Sequence, residues 1–166
     1  MKKIILVILL FISFSSCEKD DICDPTTPTT PKLVIDFYDA LNPTILKPVT
    51  NLVIAEVGNS VGFTPFSGTE IKIPLKIQLD ITKYRFISNY SDPTTILTNE
   101  DVIEFDYTRN NVFISRACGF KTLFTLNSGL PIQTEPATPD GKWIQSIIVA
   151  QPNITNENEI HIKILF

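Results

Sequence analysis

From residue 32 to the C-terminus, apolar and polar positions alternate with a period of two rather than about 3.6, the pattern of strands with one wet face. In Lys32–Tyr38, Leu33, Ile35 and Phe37 alternate with Lys32, Val34, Asp36 and Tyr38. In Glu70–Ile81, every second residue from Ile71 to Ile81 is Ile or Leu, and the positions between are Lys72, Pro74, Lys76, Gln78 and Asp80. Pro74 has no N–H to give to a ladder, so it predicts an edge strand or a bulge. Further strands are predicted over Val49–Val57, Lys83–Ser88, Val102–Thr108, Val112–Cys118, Lys121–Leu126, Trp143–Ala150 and Glu159–Phe166. Turn pairs separate them at Asn42-Pro43, Gly58-Asn59, Asp92-Pro93, Asn110-Asn111, Ser128-Gly129 and Asp140-Gly141. Asn tolerates positive φ, so Asn110-Asn111 predicts a tight hairpin. No stretch carries an amphipathic helical pattern. The expectation is an all-β fold, an immunoglobulin-like antiparallel β-sandwich of about eight or nine strands. The run Leu79-Asp80-Ile81-Thr82-Lys83-Tyr84-Arg85-Phe86 resembles a tyrosine corner, in which a tyrosine early in a strand hydrogen-bonds back to the preceding loop.

Ahead of this domain the pattern changes. Lys2 and Lys3 precede an unbroken apolar run from Ile4 to Ile12, and Ser15 and Ser16 lead into Cys17. The run is shorter than the roughly 20 residues a membrane span needs, so residues 1–16 read as a secretory signal peptide. Cysteine after two small residues resembles the lipobox of bacterial lipoproteins, with Phe14 standing where an aliphatic residue is usual. The resemblance implies that the Cys17 thiol is acylated and the leader removed. Each buried methylene contributes about 0.8 kcal/mol, so two or three chains anchor durably. Residues 17–31 follow as a tether, in which Pro25, Pro28 and Pro31 among threonines favour an extended path of about 3.1 Å per residue. Lys19, Asp20 and Asp21 resemble the export signal that carries Bacteroidota lipoproteins to the cell surface. The plainer alternative is a solvated charge run. Residues 32–166 form the domain.

Loss of the leader removes two lysines and takes the net charge from −4 to −6. That balance argues against nucleic acid or anionic headgroups as partners of the chain as a whole. With Cys17 lipidated, Cys23 and Cys118 remain as an even pair in an oxidising compartment, where disulfides persist. Two cysteines 95 positions apart, with one histidine in the chain, make a poor zinc set.

Three stretches carry a wider resemblance: CEKDDICDPTTPTTPKLVIDFYD, FDYTRNNVFISRACGFKTLFTL and WIQSIIVAQPNITNENEIHIKILF. They are similar to a family of small lipoproteins of unknown function from flavobacteria and relatives. The most specific part runs from Arg116 to Lys121, together with the residues around Cys23. The resemblance implies address and fold, and no chemistry.

Candidate chemistry is sparse. A nucleophilic triad needs a histidine held between nucleophile and carboxylate. His161 alternates with Ile160, Ile162 and Ile164, which predicts a solvent-facing strand position rather than a catalytic one. Glu104 and Asp106 lie on one strand face about two 3.3 Å rises apart, a separation compatible with glycosidase chemistry. The same pattern describes the wet face of a strand whose core side carries Ile103, Phe105 and Tyr107. Asp20, Asp21 and Asp24, and Glu157 with Glu159, lack the spacing of a calcium loop. The glycines form neither a phosphate-cradling loop nor a dinucleotide fingerprint. The expectation is therefore no cofactor, no metal site and no catalytic residue. Trp143, Tyr38 and Tyr107, with Tyr90, are candidate partly exposed aromatics for a protein or glycan partner, although a tryptophan of this kind is also a natural core residue. The function expected is a membrane-anchored, non-enzymatic binding or accessory component of a cell-surface complex. A glycan-binding module, or a small hydrolase using Glu104 and Asp106, is the alternative.

Overall fold

A computed structural model of the chain describes residues 22–59, 64–90, 98–129 and 131–166. The predicted Asp92-Pro93 turn, Cys17 and the Lys19-Asp20-Asp21 segment lie outside these residues. The chain divides into two compact units: residues 30–110 with 122–166, and residues 1–29 with 111–121. Among the described residues there are eleven strands and no helix: β1 (Leu33–Tyr38), β2 (Val49–Glu56), β3 (Phe66–Gly68), β4 (Glu70–Ile73), β5 (Ile81–Ser88), β6 (Asn99–Ser115), β7 (Gly119–Leu126), β8 (Ile132–Thr134), β9 (Ser146–Val149), β10 (Asn153–Ile154) and β11 (Ile162–Leu165).

They form two sheets, as expected of a β-sandwich. One has the order β4-β1-β11-β9, the other β10-β7-β6-β5-β2-β3 with β8 beside β6. β1 and β11 pair in parallel, Ile35 opposite Ile162 and Phe37 opposite Ile164, whereas β1–β4 and β9–β11 pair antiparallel. The core of the larger unit combines Leu33, Ile35, Phe37, Ile162 and Ile164 from the first sheet with Leu52, Ile54, Phe86, Ile103, Phe105, Tyr107 and Phe124 from the second. In β1, β6 and β11 the inward residues are every second one, as the period-two reading expects, whereas in β2 a register shift between Val49 and Leu52 interrupts the alternation.

Alternation fails at β1, whose six residues are all buried, including Val34, Asp36 and Tyr38 on the face away from the core. Two strands flank β1, and Lys163 of β11 lies over the Tyr38 ring at 5.0 Å. The same burial corrects the solvent-facing reading of His161, which is fully buried immediately before β11. Its backbone N–H donates to the Val34 carbonyl at 3.1 Å, and the Val34 N–H donates to His161 Nδ1 at 3.0 Å. An Nδ1 that accepts leaves the proton on Nε2, so the ring is neutral. Burial pushes its pKa below the usual imidazole value, with Glu159 and then Glu157 acting the other way.

The predicted hairpin at Asn110-Asn111 is replaced by one continuous strand, β6. The chain reverses instead at residues 116–118, and Gly119 takes a left-handed φ of 70° that favours glycine. Cys118-Gly119 is thus the hairpin signal, and Asn110 and Asn111 are strand residues whose side chains face solvent. The short strands β3, β8 and β10 carry too few residues to show a period.

Candidate functional site

The long strand predicted over Glu70–Ile81 is broken, and the break creates the most distinctive surface of the larger unit. β4 stops at Ile73, immediately before Pro74, and the chain then crosses from the first sheet to β5 in the second. Two tyrosines hold this crossing. Tyr84 Oη donates to the Pro74 carbonyl at 2.7 Å, the back-bond a tyrosine corner makes. Tyr107 Oη donates to the Lys76 carbonyl at 2.9 Å and lies 2.6 Å from Thr82 Oγ1, which accepts the Lys76 N–H at 3.0 Å. Burial, then Glu56, then Tyr107 push the Tyr84 phenol up to about 12, so it keeps its donor proton. Arg109 secures the far side through the Ile77 carbonyl at 2.7 Å and Asp80 Oδ1 at 2.6 Å.

Held this way, residues 74–80 leave the ladder, which resumes at Ile81 opposite Asp106, and Ile77, Leu79, Ile81 and Val57 are exposed. A shallow cleft of about 540 Å³ lies here, lined by Glu56, Val57, Lys76, Leu79, Asp80, Ile81 and Lys83. Its rim consists of ion pairs: Lys76 with Glu56, Arg109 with Asp80, and Lys83 with Glu104 at 2.5 Å. An apolar centre with a polar rim is the anatomy of a protein interface. Sequence reading missed this patch because the unbroken period assigned the same residues to the core. Pro74 was the available signal.

Glu104 and Asp106 do share one strand face. They line a cleft of about 190 Å³ with Leu126, Asn127, Ser128, Gly129, Pro131 and Ile132. That is below the roughly 300 Å³ at which small-molecule sites begin. Each acid is engaged: Glu104 in the Lys83 ion pair, Asp106 as acceptor from Asn127 Nδ2 at 2.8 Å.

The aromatic candidates lie elsewhere than expected. Tyr107 is fully buried and Tyr38 nearly so, and both hydroxyl-bearing rings belong to packed faces of the sheets rather than to a display surface. Tyr107 meets Phe124 edge-on at 5.2 Å. Trp143 is half-buried against the core, edge-on to Phe166 at 5.5 Å, with its indole N–H donating to the Phe86 carbonyl at 3.0 Å. The segment carrying it is pinned by Asp101, whose Oδ2 accepts the backbone N–H of Trp143 at 3.0 Å and of Ile144 at 2.8 Å. Asp101 is fully buried, and that burial pushes its pKa above the usual carboxylate value. Tyr90 remains exposed.

In the smaller unit, Cys23 and Cys118 form a disulfide. Cys118 N–H donates to Ser115 Oγ at 3.0 Å, and Asp24 accepts from the Thr26 N–H and hydroxyl at 2.8 and 2.6 Å. Among the described residues no three His, Cys, Asp or Glu side chains are grouped to hold a metal ion, and no helix is long and apolar enough to cross a membrane.

Fold and surface together define a two-sheet, disulfide-bearing β-domain with exposed apolar side chains at a corner between sheets. The chain belongs to the family of unknown function DUF6452, which it matches over residues 51–166. No curated protein and no solved structure matches it.

Proposed function

We propose that this protein is a lipid-anchored outer-membrane lipoprotein of a Bacteroidota bacterium, displayed on the cell surface, whose β-domain binds a protein partner through the corner patch of Val57, Ile77, Leu79 and Ile81. The patch carries the reading: Val57, Leu79 and Ile81 stand exposed in a cleft ringed by ion pairs, and Ile77 is exposed on the adjoining loop that two tyrosine hydroxyls hold in place. A monomer gains nothing from exposing them together, whereas a partner would bury them inside a polar rim. The Cys23–Cys118 bond supports export, since disulfides persist in oxidising compartments, and it leaves Cys17 as the odd cysteine free for acylation. Burial of Tyr38 and Tyr107 leaves the glycan alternative with Tyr90 and half-buried Trp143 as its aromatic candidates. The acids of the alternative hydrolase are engaged with Lys83 and Asn127, in a cleft of about 190 Å³.

A photo-crosslinker at Leu79 in the lipidated protein, activated in native membranes, should capture a protein. Leu79→Asp with Ile77→Asp should weaken that association by about 2 kcal/mol, the scale of a hot spot, with the fold unchanged. Glu104→Gln and Asp106→Asn should leave the cellular role intact. Loss of that role in the carboxamide variants, at unchanged folding, overturns the reading in favour of an enzyme.

A further inference from the structure

We infer that the hairpin end formed by residues 111–121 lies on the bilayer that carries the anchor, with Phe113 and Phe120 at the boundary of headgroups and acyl chains. The inference rests on the proposed acylation of Cys17. Taken by themselves, the described residues of the smaller unit leave large apolar side chains exposed. Phe113 is 56% exposed, Phe120 67% and Ile22 81%. The two phenylalanines stand edge-on at 5.3 Å, a paired aromatic surface at a hairpin tip.

Two observations name what covers them. The first is covalent. The disulfide ties Cys118, in the turn of this hairpin, to Cys23, which follows Cys17 by six residues. A chain spans at most about 3.6 Å per residue, so Cys23 lies within about 22 Å of Cys17 and the turn, one disulfide of 4.8 Å Cα–Cα further, within about 26 Å. Without the bond, the hairpin would be tied to the anchor only through the 95 residues that separate the two cysteines. The second is charge. Residues 111–121 include Arg116 and Lys121 and no carboxylate, in a chain that is otherwise acidic. Cations beside exposed aromatic rings suit lipid phosphates above an apolar boundary. The anchor holds the tip at high effective concentration, so contacts too weak to recruit the protein are enough to orient it.

The test uses the full-length, lipidated protein in phosphatidylcholine vesicles. In Phe120→Trp, emission should shift to the blue, and brominated acyl chains should quench most of the added signal. The wild type, whose only tryptophan is Trp143, supplies the baseline. In a second variant, Phe113→Ser with Phe120→Trp, the quenching should fall, because half of the aromatic pair is gone. Fatty-acid labelling is run alongside. Label at Cys17 with the introduced indole emitting as in water overturns the inference and leaves the anchor standing. Absence of label overturns the anchor reading and the inference with it. A photo-crosslinker at Phe120 that captures a protein in native membranes, rather than lipid, also overturns it.

Discussion

In the larger unit Phe37, Phe105, Tyr107 and Phe124 are buried in one core, and even Asp101 and His161 are enclosed with hydrogen-bond partners around them. Among the described residues of the smaller unit no side chain belongs to that core, and Phe113, Phe120 and Ile22 are exposed. There a disulfide and a few short-range hydrogen bonds, from Thr26 to Asp24 and from Cys118 to Ser115, stand in for packing. Apolar burial at about 25 cal/mol per Å² sustains a fold only where enough surface is covered. A piece as short as the smaller unit cannot reach that amount and needs a covalent staple.

The sharpest way to break the contrast is to remove the staple. Closing a loop of about 100 residues is worth about 4.7 kcal/mol in the chain-entropy model. Cys23→Ser with Cys118→Ser should therefore lower the denaturation midpoint substantially. Hydrogen exchange should then show amides of 111–121 losing protection in native conditions while those of β1 and β11 keep theirs. Uniform loss of protection would mean that the two units share one source of order.

The larger unit's reliance on its interior is tested at Asp101. Asp101→Ala leaves the Trp143 and Ile144 N–H groups without their acceptor, at a cost of about 3 kcal/mol. Asp101→Asn keeps one carbonyl oxygen there and should recover part of it. Arg85→Ala, which opens the partly buried, bidentate Arg85–Glu100 pair, should cost about 1 kcal/mol in the same denaturation series.

The smallest effect is pH-dependent. Burial holds the folded-state pKa of His161 below its usual value, so the unfolded chain takes up the proton first as acid is added. The stability due to the neutral ring is complete above about pH 6.5 and falls as pH drops toward the folded value, by at most about 1.4 kcal/mol per pH unit. His161→Asn should flatten this slope below pH 6.5 in denaturation curves. Buried Asp101 and Asp36 have raised pKa values and act with the opposite sign, so the difference between wild type and variant isolates the histidine. An identical slope in both proteins would refute the assignment.

Period-two alternation was enough to reveal an all-β sandwich, the inward residues Ile103, Phe105 and Tyr107 of β6, and the tyrosine at the corner, because each reports only local geometry and one wet face. The even cysteine pair after Cys17 was likewise legible as a count. What the sequence left open depends on neighbours distant along the chain. Asp36 and His161 look wet by alternation, yet parallel pairing of the first and last strands buries them. Ile77 and Leu79 look like core, yet a proline and two tyrosine hydroxyls turn the chain between sheets and leave them in solvent. Spacing along the chain states which side of its own strand a residue takes. Whether that side meets water or another strand is set by long-range pairing, and only the tertiary structure decides it.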